Sequence, residues 1–232
     1  MKLEQIKEIE FLDLNDAQID KLFKYMNFTL EENSKFNLTR NYNKESFIIK
    51  NLIDSLLIVK DNDLSNSLVL DLGSGAGLPG IPLAIYYETT NFVLLEPTKK
   101  RAQFLERCKE LLGLKNVTVV AERAEDYIND NNREKFDFVV SRAVSKLNVL
   151  LELSIPFLKV DGKLIAYKGL NYNQEIEEAK NSLKTLSSEV KNVQENKLPF
   201  SNETRFNIVV TKREKTNPKF PRLYKDISKK PL

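Results

Sequence analysis

A carboxylate followed by a cluster of glycines is the part of this chain best suited to chemistry. Four of the seven glycines lie within eight residues, between Gly73 and Gly80, just after Asp71. The apolar run before Asp71 predicts a buried strand. Glycines allow positive φ angles and a close approach of the backbone to a ligand, and Pro79 suits the first turn of a helix. We interpret this strand–loop–helix junction as a binding site for a nucleoside-bearing cofactor.

Two kinds of cofactor fit such a loop, and the position of Asp71 separates them. The spacing Gly75-x-Gly77-x-x-Gly80 matches the dinucleotide fingerprint. However, an acid before the first glycine repels phosphates and suits a cationic amino-acid group, and the loop is longer than the tight turn of a dinucleotide site. The pattern Asp-x-Gly-x-Gly-x-Gly is similar to motif I of S-adenosylmethionine-dependent methyltransferases. An ordinary glycine-rich turn is the alternative.

A second acid follows at the spacing of one strand–helix–strand step. Glu96 ends the predicted strand 92–95 and lies 25 residues after Asp71. A carboxylate there can accept hydrogen bonds from both hydroxyls of a ribose, although a solvated acid at a strand end is the plainer alternative. The fold logic therefore adds Asp71, Gly75 and Glu96 as cofactor-binding residues.

The rest of the chain alternates between apolar strand patterns and helical patterns. This alternation predicts an α/β fold of the Rossmann-like methyltransferase type, with a mostly parallel seven-stranded sheet and an antiparallel edge. One predicted helix, 99–112, carries Ala102, Leu105, Cys108, Leu111 and Leu112 on one stripe and stops at Gly113. The further predicted elements are strands 117–120, 136–140, 163–168, 189–194 and 204–211, and helices 146–158 and 173–187, with Asp161-Gly162 as a turn before strand 163–168.

Composition excludes several classes of protein. The chain has 232 residues, one cysteine and no histidine, so it cannot form a Ser–His or Cys–His catalytic pair and lacks the usual transition-metal ligands. No run approaches 18 apolar residues, and the first residues lack the apolar core of a signal peptide. We expect a cytoplasmic, monomeric protein without a metal or a membrane span, in which Cys108 is a core residue.

Positive charge is concentrated at the C-terminus. Residues 212–232 hold eight basic and two acidic side chains, whereas the net charge of the whole chain is only +3. Such a segment suits a polyanion, because cations neutralise phosphates while aromatic rings stack on bases; a disordered solubilising tail is the alternative. We expect one compact unit made of a helical cap (1–60), a methyltransferase domain (61–212) and this basic tail (213–232).

The N-terminal part has two helical patterns. Asn15 or Asp16 can cap the first helix, whose apolar positions are Ile19, Leu22, Phe23, Met26 and Leu30 and whose pattern breaks at the polar patch 31–35. The second pattern covers 44–59. Periodicity favours simple packing of these helices on the sheet. The functional alternative is that 37–40 and Asp54-Ser55 form one wall of the mouth of the site.

Several segments together resemble the RsmG (GidB) family, whose members methylate N7 of one guanine in bacterial 16S rRNA. The resemblance runs from about residue 20 to the C-terminus. Its carriers, in matching order and spacing, are Asn37-Leu38-Thr39, Asp54-Ser55-Leu56, the glycine segment 71–82, Lys100-Arg101, Phe104-Leu105, Arg123-Ala124-Glu125, Ser141-Arg142-Ala143-Val144, Asp161-Gly162-Lys163, Lys168-Gly169, Phe220-Pro221-Arg222 and Lys229-Lys230-Pro231-Leu232. This chain departs from the family at Lys50-Asn51, where a histidine is common, and at Leu78, where phenylalanine is common.

The resemblance implies S-adenosylmethionine as cofactor and a guanine in the 530 loop of 16S rRNA, free or in the small ribosomal subunit, as substrate. It implies cofactor contacts at Gly73, Leu78, Ala124, Glu125 and Arg142. Guanine N7 already bears a lone pair, so the transfer needs orientation rather than a general base. We expect Arg142 to position cofactor or phosphate and Lys168 or the tail to hold RNA. The alternatives are a methyltransferase for other RNA, DNA, protein or a small molecule, a non-catalytic RNA-binding protein and a nicotinamide enzyme.

Overall fold

A computed structural model describes residues 3–36, 38 and 43–232. Seven strands form one sheet in the order β3-β2-β1-β4-β5-β7-β6. Neighbours from β3 to β5 are parallel, while β7 runs antiparallel to β5 and β6 antiparallel to β7. The predicted α/β sheet with an antiparallel edge is therefore confirmed. The strands are β1 (Leu68–Leu72), β2 (Asn91–Leu95), β3 (Val117–Val120), β4 (Phe136–Arg142), β5 (Leu158–Lys168), β6 (Ser188–Lys197) and β7 (Thr204–Lys212).

Helices cover both faces of the sheet. Those that precede β1, together with α4 and α5, share one hydrophobic cluster, and α7 to α10 share a second. Among the described residues, no helix is long and apolar enough to cross a membrane. The α-helices are α1 (Asp16–Phe36), α2 (Lys44–Phe47), α3 (Asp54–Leu56), α4 (Gly80–Tyr86), α5 (Lys99–Leu112), α6 (Ala124–Tyr127), α7 (Leu147–Ser154), α8 (Tyr172–Glu178), α9 (Lys180–Thr185) and α10 (Tyr224–Lys229). A π-helical stretch, Ile48–Ile53, joins α2 to α3, and the 3₁₀ helices are Leu3–Glu8, Leu57–Lys60 and Ile155–Phe157.

Helix α1 is longer than its apolar pattern predicts. It continues through the polar patch 31–35 to Phe36, because Glu32 is buried and its Oε2 accepts a hydrogen bond from Arg107 of α5 at 2.6 Å. The predicted apolar stripes are wrong at two positions, since Phe23 is 43% and Leu111 is 50% exposed. Cys108 is fully buried, as predicted.

Strand β5 begins before the predicted turn. The pairing with β4 shifts from Phe136↔Leu158 to Phe138↔Lys163, so Asp161-Gly162 forms a bulge inside the strand. Asp161 has a φ of 65°. A Cβ on Gly162 would lie 3.1 Å from the carbonyl oxygen of Asp137. The chain therefore does bend at Asp161-Gly162, as predicted. Because residues before and after this bend pair with β4, however, the bend lies inside β5 and not in front of it. The predicted helix 173–187 is likewise two helices, α8 and α9.

The C-terminal segment packs on the second face of the sheet. Phe220 and Ile227 are buried in the cluster of α7. Arg222 binds the fully buried carboxylate of Glu152, with Nε at 2.7 Å from Oε1 and Nη2 at 2.6 Å from Oε2. A disordered solubilising tail is therefore wrong. The division into units 1–60, 61–212 and 213–232 stays a prediction.

Candidate cofactor and substrate site

The acid of the glycine loop lies inside the protein. Asp71 belongs to β1 rather than following it, and its side chain is fully buried. Its Oδ2 accepts a hydrogen bond from the backbone N–H of Gly80 at 3.0 Å, whereas Oδ1 has no hydrogen-bond partner in the described part of the chain. Burial raises the pKa of Asp71 to about 7, against the opposing effect of the Gly80 N–H. A buried carboxylate with an oxygen to spare suits a cationic ligand group.

The glycines are required by conformation and by space. Gly73, Gly75 and Gly77 have φ angles of 76°, 58° and 92°, which other residues adopt only with strain. A Cβ on Gly73 would lie 2.4 Å from Cγ2 of Val144, and one on Gly80 would lie 2.5 Å from Oδ2 of Asp71. The loop therefore packs directly against the segment that follows β4.

Glu96 holds the same loop from the next strand. Its Oε2 accepts from the backbone N–H of Gly75 at 2.9 Å, and its Oε1 accepts from that of Thr98 at 2.8 Å. Glu96 is buried. Since each carboxylate oxygen has two lone pairs, both retain capacity for a ligand hydroxyl. The acid at this strand end is a buried loop anchor and not a solvated side chain.

A cavity of about 220 Å³ opens beside the loop at the carboxyl ends of β1 and β2. Three of the predicted cofactor residues, Gly73, Ala124 and Glu125, lie in its wall. Leu78 does not; its side chain is buried in the cluster of the N-terminal helices. The lining is mostly apolar and consists of Leu72, Gly73, Leu95, Pro97, Glu122, Arg123, Ala124, Glu125, Val144, Leu153 and Tyr224.

Tyr224 joins this cavity from α10, near the end of the chain. Its backbone N–H donates to Oε1 of Glu125 at 3.2 Å, and the Arg123 guanidinium lies 5.9 Å from its ring centroid. The sequence predicts that aromatic rings of the basic tail stack on RNA bases, whereas the Tyr224 ring belongs to the wall of this cavity. The position depends on how the tail folds back, for which the sequence gives no local signal.

A second cavity, of about 500 Å³, lies at the carboxyl ends of β4 and β5 and shares Val144 with the first. Both predicted catalytic residues, Arg142 and Lys168, line it. Its other lining residues are Asp54, Ala143, Val144, Ser145, Lys146, Tyr167, Gly169, Glu175, Arg205 and Asn207. The two cavities therefore share a wall at the loop after β4.

Arg142 is fixed by the helical segment that crosses above β4. Its Nη1 donates to Oδ2 of Asp54 at 3.1 Å and to the carbonyl oxygen of Lys50 at 3.2 Å, and Nη2 donates to Oδ1 of Asn51 at 3.4 Å. Lys50 and Asn51, where the sequence departs from the RsmG pattern that it resembles, thus support Arg142. Asn37, Thr39 and Arg40, also considered for this wall, lie outside the described residues.

Asp54 joins two arginines. Besides Arg142, it forms an ion pair through Oδ1 with Nε of Arg205 at 3.2 Å. Burial raises the pKa of Asp54, although both guanidinium groups oppose the shift. Asp54 lines the second cavity, which supports the alternative that this segment forms a wall of the site. Ser55 instead is fully buried, with its hydroxyl donating to the carbonyl oxygen of Asn51 at 2.6 Å.

Lys168 is held inside the wall and does not extend toward solvent. Its Nζ donates to Oε2 of Glu175 at 2.6 Å and to the carbonyl oxygen of Ser145 at 2.8 Å. The same Glu175 oxygen accepts from the backbone N–H of Leu147 at 2.8 Å. These contacts fix the loop that contains Ala143, whose φ of 58° is strained for a residue with a Cβ. The geometry favours loop support by Lys168 over direct RNA binding.

Comparisons with known proteins agree with this geometry. Residues 18–204 match the family model GidB, described as rRNA small subunit methyltransferase G. Relatives named ribosomal RNA small subunit methyltransferase G include one from Caldicellulosiruptor bescii, 42% identical over 97% of this chain and 98% of that protein, and one from Fusobacterium nucleatum, 42% identical over 99% and 97%.

Solved structures add the fold. TYW2 from M. jannaschii, in complex with AdoMet, has a TM-score of 0.56 at 18% identity over 75% of this chain and 80% of that one. A SAM-dependent O-methyltransferase from Thermotoga maritima has a TM-score of 0.54 at 17% identity over 82% and 72%. With the match over residues 18–204 and the full-length relatives, this chain belongs to the GidB family, rRNA small subunit methyltransferase G.

Proposed function

We propose that this protein transfers a methyl group from S-adenosylmethionine to N7 of a guanine in the 530 loop of 16S rRNA. The observation that carries the proposal is the pair of adjoining cavities on a chain that belongs to the GidB family. The first has a mostly apolar lining, and the second, which we call the polar cavity, is lined by several charged side chains. Bacterial ribosomal RNA lies in the cytoplasm, so we place the protein there. We further propose that it acts as a monomer.

Residues in the wall of the first cavity, and Asp71, Gly75 and Glu96 in the strand ends and glycine loop beside it, fit the parts of this cofactor. Leu72, Leu95 and Pro97 offer apolar walls for a purine ring. Asp71 has a fully buried oxygen without a hydrogen-bond partner among the described residues, which fits a cationic amino-acid group. Glu96 can accept from ribose hydroxyls while it holds the loop. We assign these residues, with Gly73, Gly75, Ala124 and Glu125, to cofactor binding.

The chemistry requires little from the protein beyond orientation. The bound sulfonium supplies a methyl group whose C–S bond breaks as the N7–C bond forms, the C–S electron pair staying on sulfur. No proton leaves N7, so the absence of histidine from the chain is no obstacle. Positive charge moves onto the purine, and the two carboxylates in the wall of the polar cavity, Asp54 and Glu175, are each already paired with a cationic side chain.

RNA must present the base to a recessed cavity. N7 is hard to reach in the deep major groove of an A-form helix, so the guanine has to be exposed or turned out of its stack. The exposed cations near the cavity and on the C-terminal segment, such as Lys146, Lys219 and Lys225, suit the RNA backbone. We infer that the substrate is 16S rRNA, free or in the small ribosomal subunit.

Transfer of labelled methyl tests the proposal directly. 16S rRNA and intact small subunits from cells that lack the protein are incubated with the protein and labelled S-adenosylmethionine. Borohydride–aniline treatment then cleaves the RNA at 7-methylguanosine. We expect one cleavage site, in the 530 loop, and the more strongly labelled form identifies the substrate. Cofactor binding without RNA labelling would instead indicate a methyltransferase for another substrate.

A further inference from the structure

One buried side-chain amide in the polar cavity has an N–H group without a hydrogen-bond partner among the described residues. Asn207 of β7 is 1% exposed, and its Nδ2 has no hydrogen-bond partner in the described ranges 3–36, 38 and 43–232. Asn207 lines the second cavity together with Arg142 and Tyr167. An unsatisfied buried N–H group is costly to the protein. Its place in a cavity wall makes this N–H group available to a ligand.

The strand register puts this amide in one row with the other residues of the cavity. Arg142 of β4 pairs with Tyr167 of β5, which in turn pairs with Asn207 of β7. Directly paired residues present their side chains on the same face of a sheet. The hydroxyl of Tyr167 donates to the carbonyl oxygen of Ser55 at 2.6 Å, so this face lies beneath α3, the helix that carries Asp54.

Asp54 supplies the complementary acceptor. Its Oδ1 is buried and, despite the ion pair with Nε of Arg205 at 3.2 Å, makes no hydrogen bond of good geometry with the described residues. A carboxylate oxygen can accept from more than one donor. The wall of the cavity therefore offers Asn207 Nδ2 as a donor and Asp54 Oδ1 as an acceptor, beside the Ser145 hydroxyl, which also has no hydrogen-bond partner among the described residues.

We propose that these two side chains select guanine in the second cavity, with Asn207 Nδ2 donating to O6 and Asp54 Oδ1 accepting from N1–H. This inference rests on the proposed function. Guanine presents an acceptor at O6 and a donor at N1, whereas adenine presents a donor at its exocyclic amine and an acceptor at N1. Adenine would meet donor with donor and acceptor with acceptor, which leaves its amine, its N1 and Asn207 Nδ2 without partners in this pair of contacts.

The same orientation suits N7 as the methylated atom. N1, O6 and N7 follow one another along one side of the purine. A guanine held at N1 and O6 in the second cavity can thus direct N7 toward Val144, the residue at which the two cavities meet. Asn207 and Asp54 act by positioning and selection.

Two measurements test the inference. The first compares binding of guanosine and adenosine 5′-monophosphates to the cofactor-loaded protein by ligand-observed saturation-transfer NMR. The second compares methyl transfer to small subunits whose target position holds guanine or 2-aminopurine, which lacks both O6 and N1–H. The variants are Asn207→Leu, Asn207→Asp and Asp54→Asn. The control is Asn192→Leu, which alters an exposed asparagine on the neighbouring strand β6.

We expect the wild-type protein to prefer the guanine nucleotide and Asn207→Leu to lose that preference. We also expect kcat/KM for guanine to fall about tenfold or more in Asn207→Leu, with little further loss on 2-aminopurine and unchanged cofactor affinity. Asn192→Leu should match wild type in every readout. Equal binding of the two nucleotides by wild type, or an equal loss on both bases in Asn207→Leu, would overturn the inference. A guanine preference that depends on Asn207, without any labelling of rRNA, would uphold it and overturn only the proposed function.

Discussion

Asp71 and Gly80 lie nine residues apart in the chain and are joined by one hydrogen bond, in which the Gly80 N–H donates to Oδ2 of Asp71 at 3.0 Å. Only a glycine fits there, because a Cβ would lie 2.5 Å from that same oxygen. This hydrogen bond joins the strand before the glycine loop to the helix after it through the buried Asp71 carboxylate. Because burial outweighs this single bond, the pKa of Asp71 rises to about 7.

The raised pKa predicts a pH-dependent stability without cofactor. Between the ordinary pKa of an aspartate and about 7, the folded state binds more protons at Asp71 than the unfolded state does. The free energy of unfolding contributed by Asp71 therefore falls as the pH rises through this window. Asp71→Asn should flatten that slope and stabilise the free protein at pH 8. Urea denaturation of both proteins at pH 5 to 8 measures the difference, and identical slopes would contradict the prediction.

Cofactor binding should show the opposite dependence on pH. A cationic ligand beside Asp71 favours the ionised carboxylate, so affinity should rise as the pH increases from 6 to 8. Asp71→Asn should bind the cofactor more weakly and lose this dependence. Calorimetry at several pH values measures both effects. Equal pH dependence in the two proteins would exclude Asp71 as the group that contacts the cation.

Sequence reasoning located what is encoded locally. The strand, Asp71, the glycine loop and Glu96 lie within 29 consecutive residues, 68–96, where spacing alone fixes the order of strand, loop and helix. The same local logic found helix α5 at its observed bounds. It did not predict that α1 continues through the polar patch 31–35, because Glu32 is buried by its contact with Arg107, a residue distant in the chain.

Arg142 and Lys168 of the second cavity were predicted from the sequence, but other residues of the site could not be found in this way. Arg205 and Asn207 reach the second cavity because β7 pairs antiparallel with β5, and Tyr224 reaches the first cavity through the folded C-terminal segment. These positions depend on the strand order and packing of the folded chain, and no short sequence motif predicts them. The side-chain amide of Asn207 can be recognised as a donor without a partner among the described residues only from the folded structure.

Gly73 should tolerate alanine much less than another glycine with a similar φ angle. Gly73 and Gly113 have φ angles of 76° and 61°, but a Cβ on Gly73 would lie 2.4 Å from Cγ2 of Val144, while Gly113 has open space. We expect Gly113→Ala to cost about 1 to 2 kcal/mol from backbone strain, and Gly73→Ala about 1 to 3 kcal/mol more from overpacking. Adding Val144→Ala should recover part of that second loss. Thermal unfolding checks all three, and equal costs at the two glycines would refute the steric explanation.

Arg142→Ala should reduce methyl transfer sharply while the protein still folds. The substitution removes the partner of Asp54 Oδ2 and leaves Arg205 to neutralise a buried carboxylate, which we expect to cost about 1 to 3 kcal/mol of stability. Arg142→Lys keeps the charge but not the planar set of donors, so it should recover stability better than turnover. Single-turnover transfer and denaturation, measured side by side, separate the two effects. Near-normal turnover in Arg142→Ala would exclude Arg142 from the reaction.

The C-terminal segment should be held in place mainly by Arg222 and Glu152. Glu152 is fully buried and accepts from both Nε and Nη2 of Arg222. Arg222→Ala therefore leaves a buried charge whose one remaining donor, among the residues that the structure describes, is the backbone N–H of residue 222. Because solvent reaches part of the Arg222 side chain, we expect a loss of about 2 to 3 kcal/mol rather than the full cost of a broken buried pair.

The consequence should extend to the cofactor cavity. Tyr224 follows Arg222 closely and lines that cavity, so loosening the segment should weaken cofactor binding and expose the C-terminus to proteases. Arg213→Ala is the matched control, since it removes an arginine whose ion pairs with Asp161 and Glu189 are exposed, and it should change neither. Limited proteolysis and cofactor titration of both variants make the comparison. If Arg222→Ala binds the cofactor as tightly as Arg213→Ala does, the folded C-terminal segment is an anchored extension and not a wall of the cofactor site.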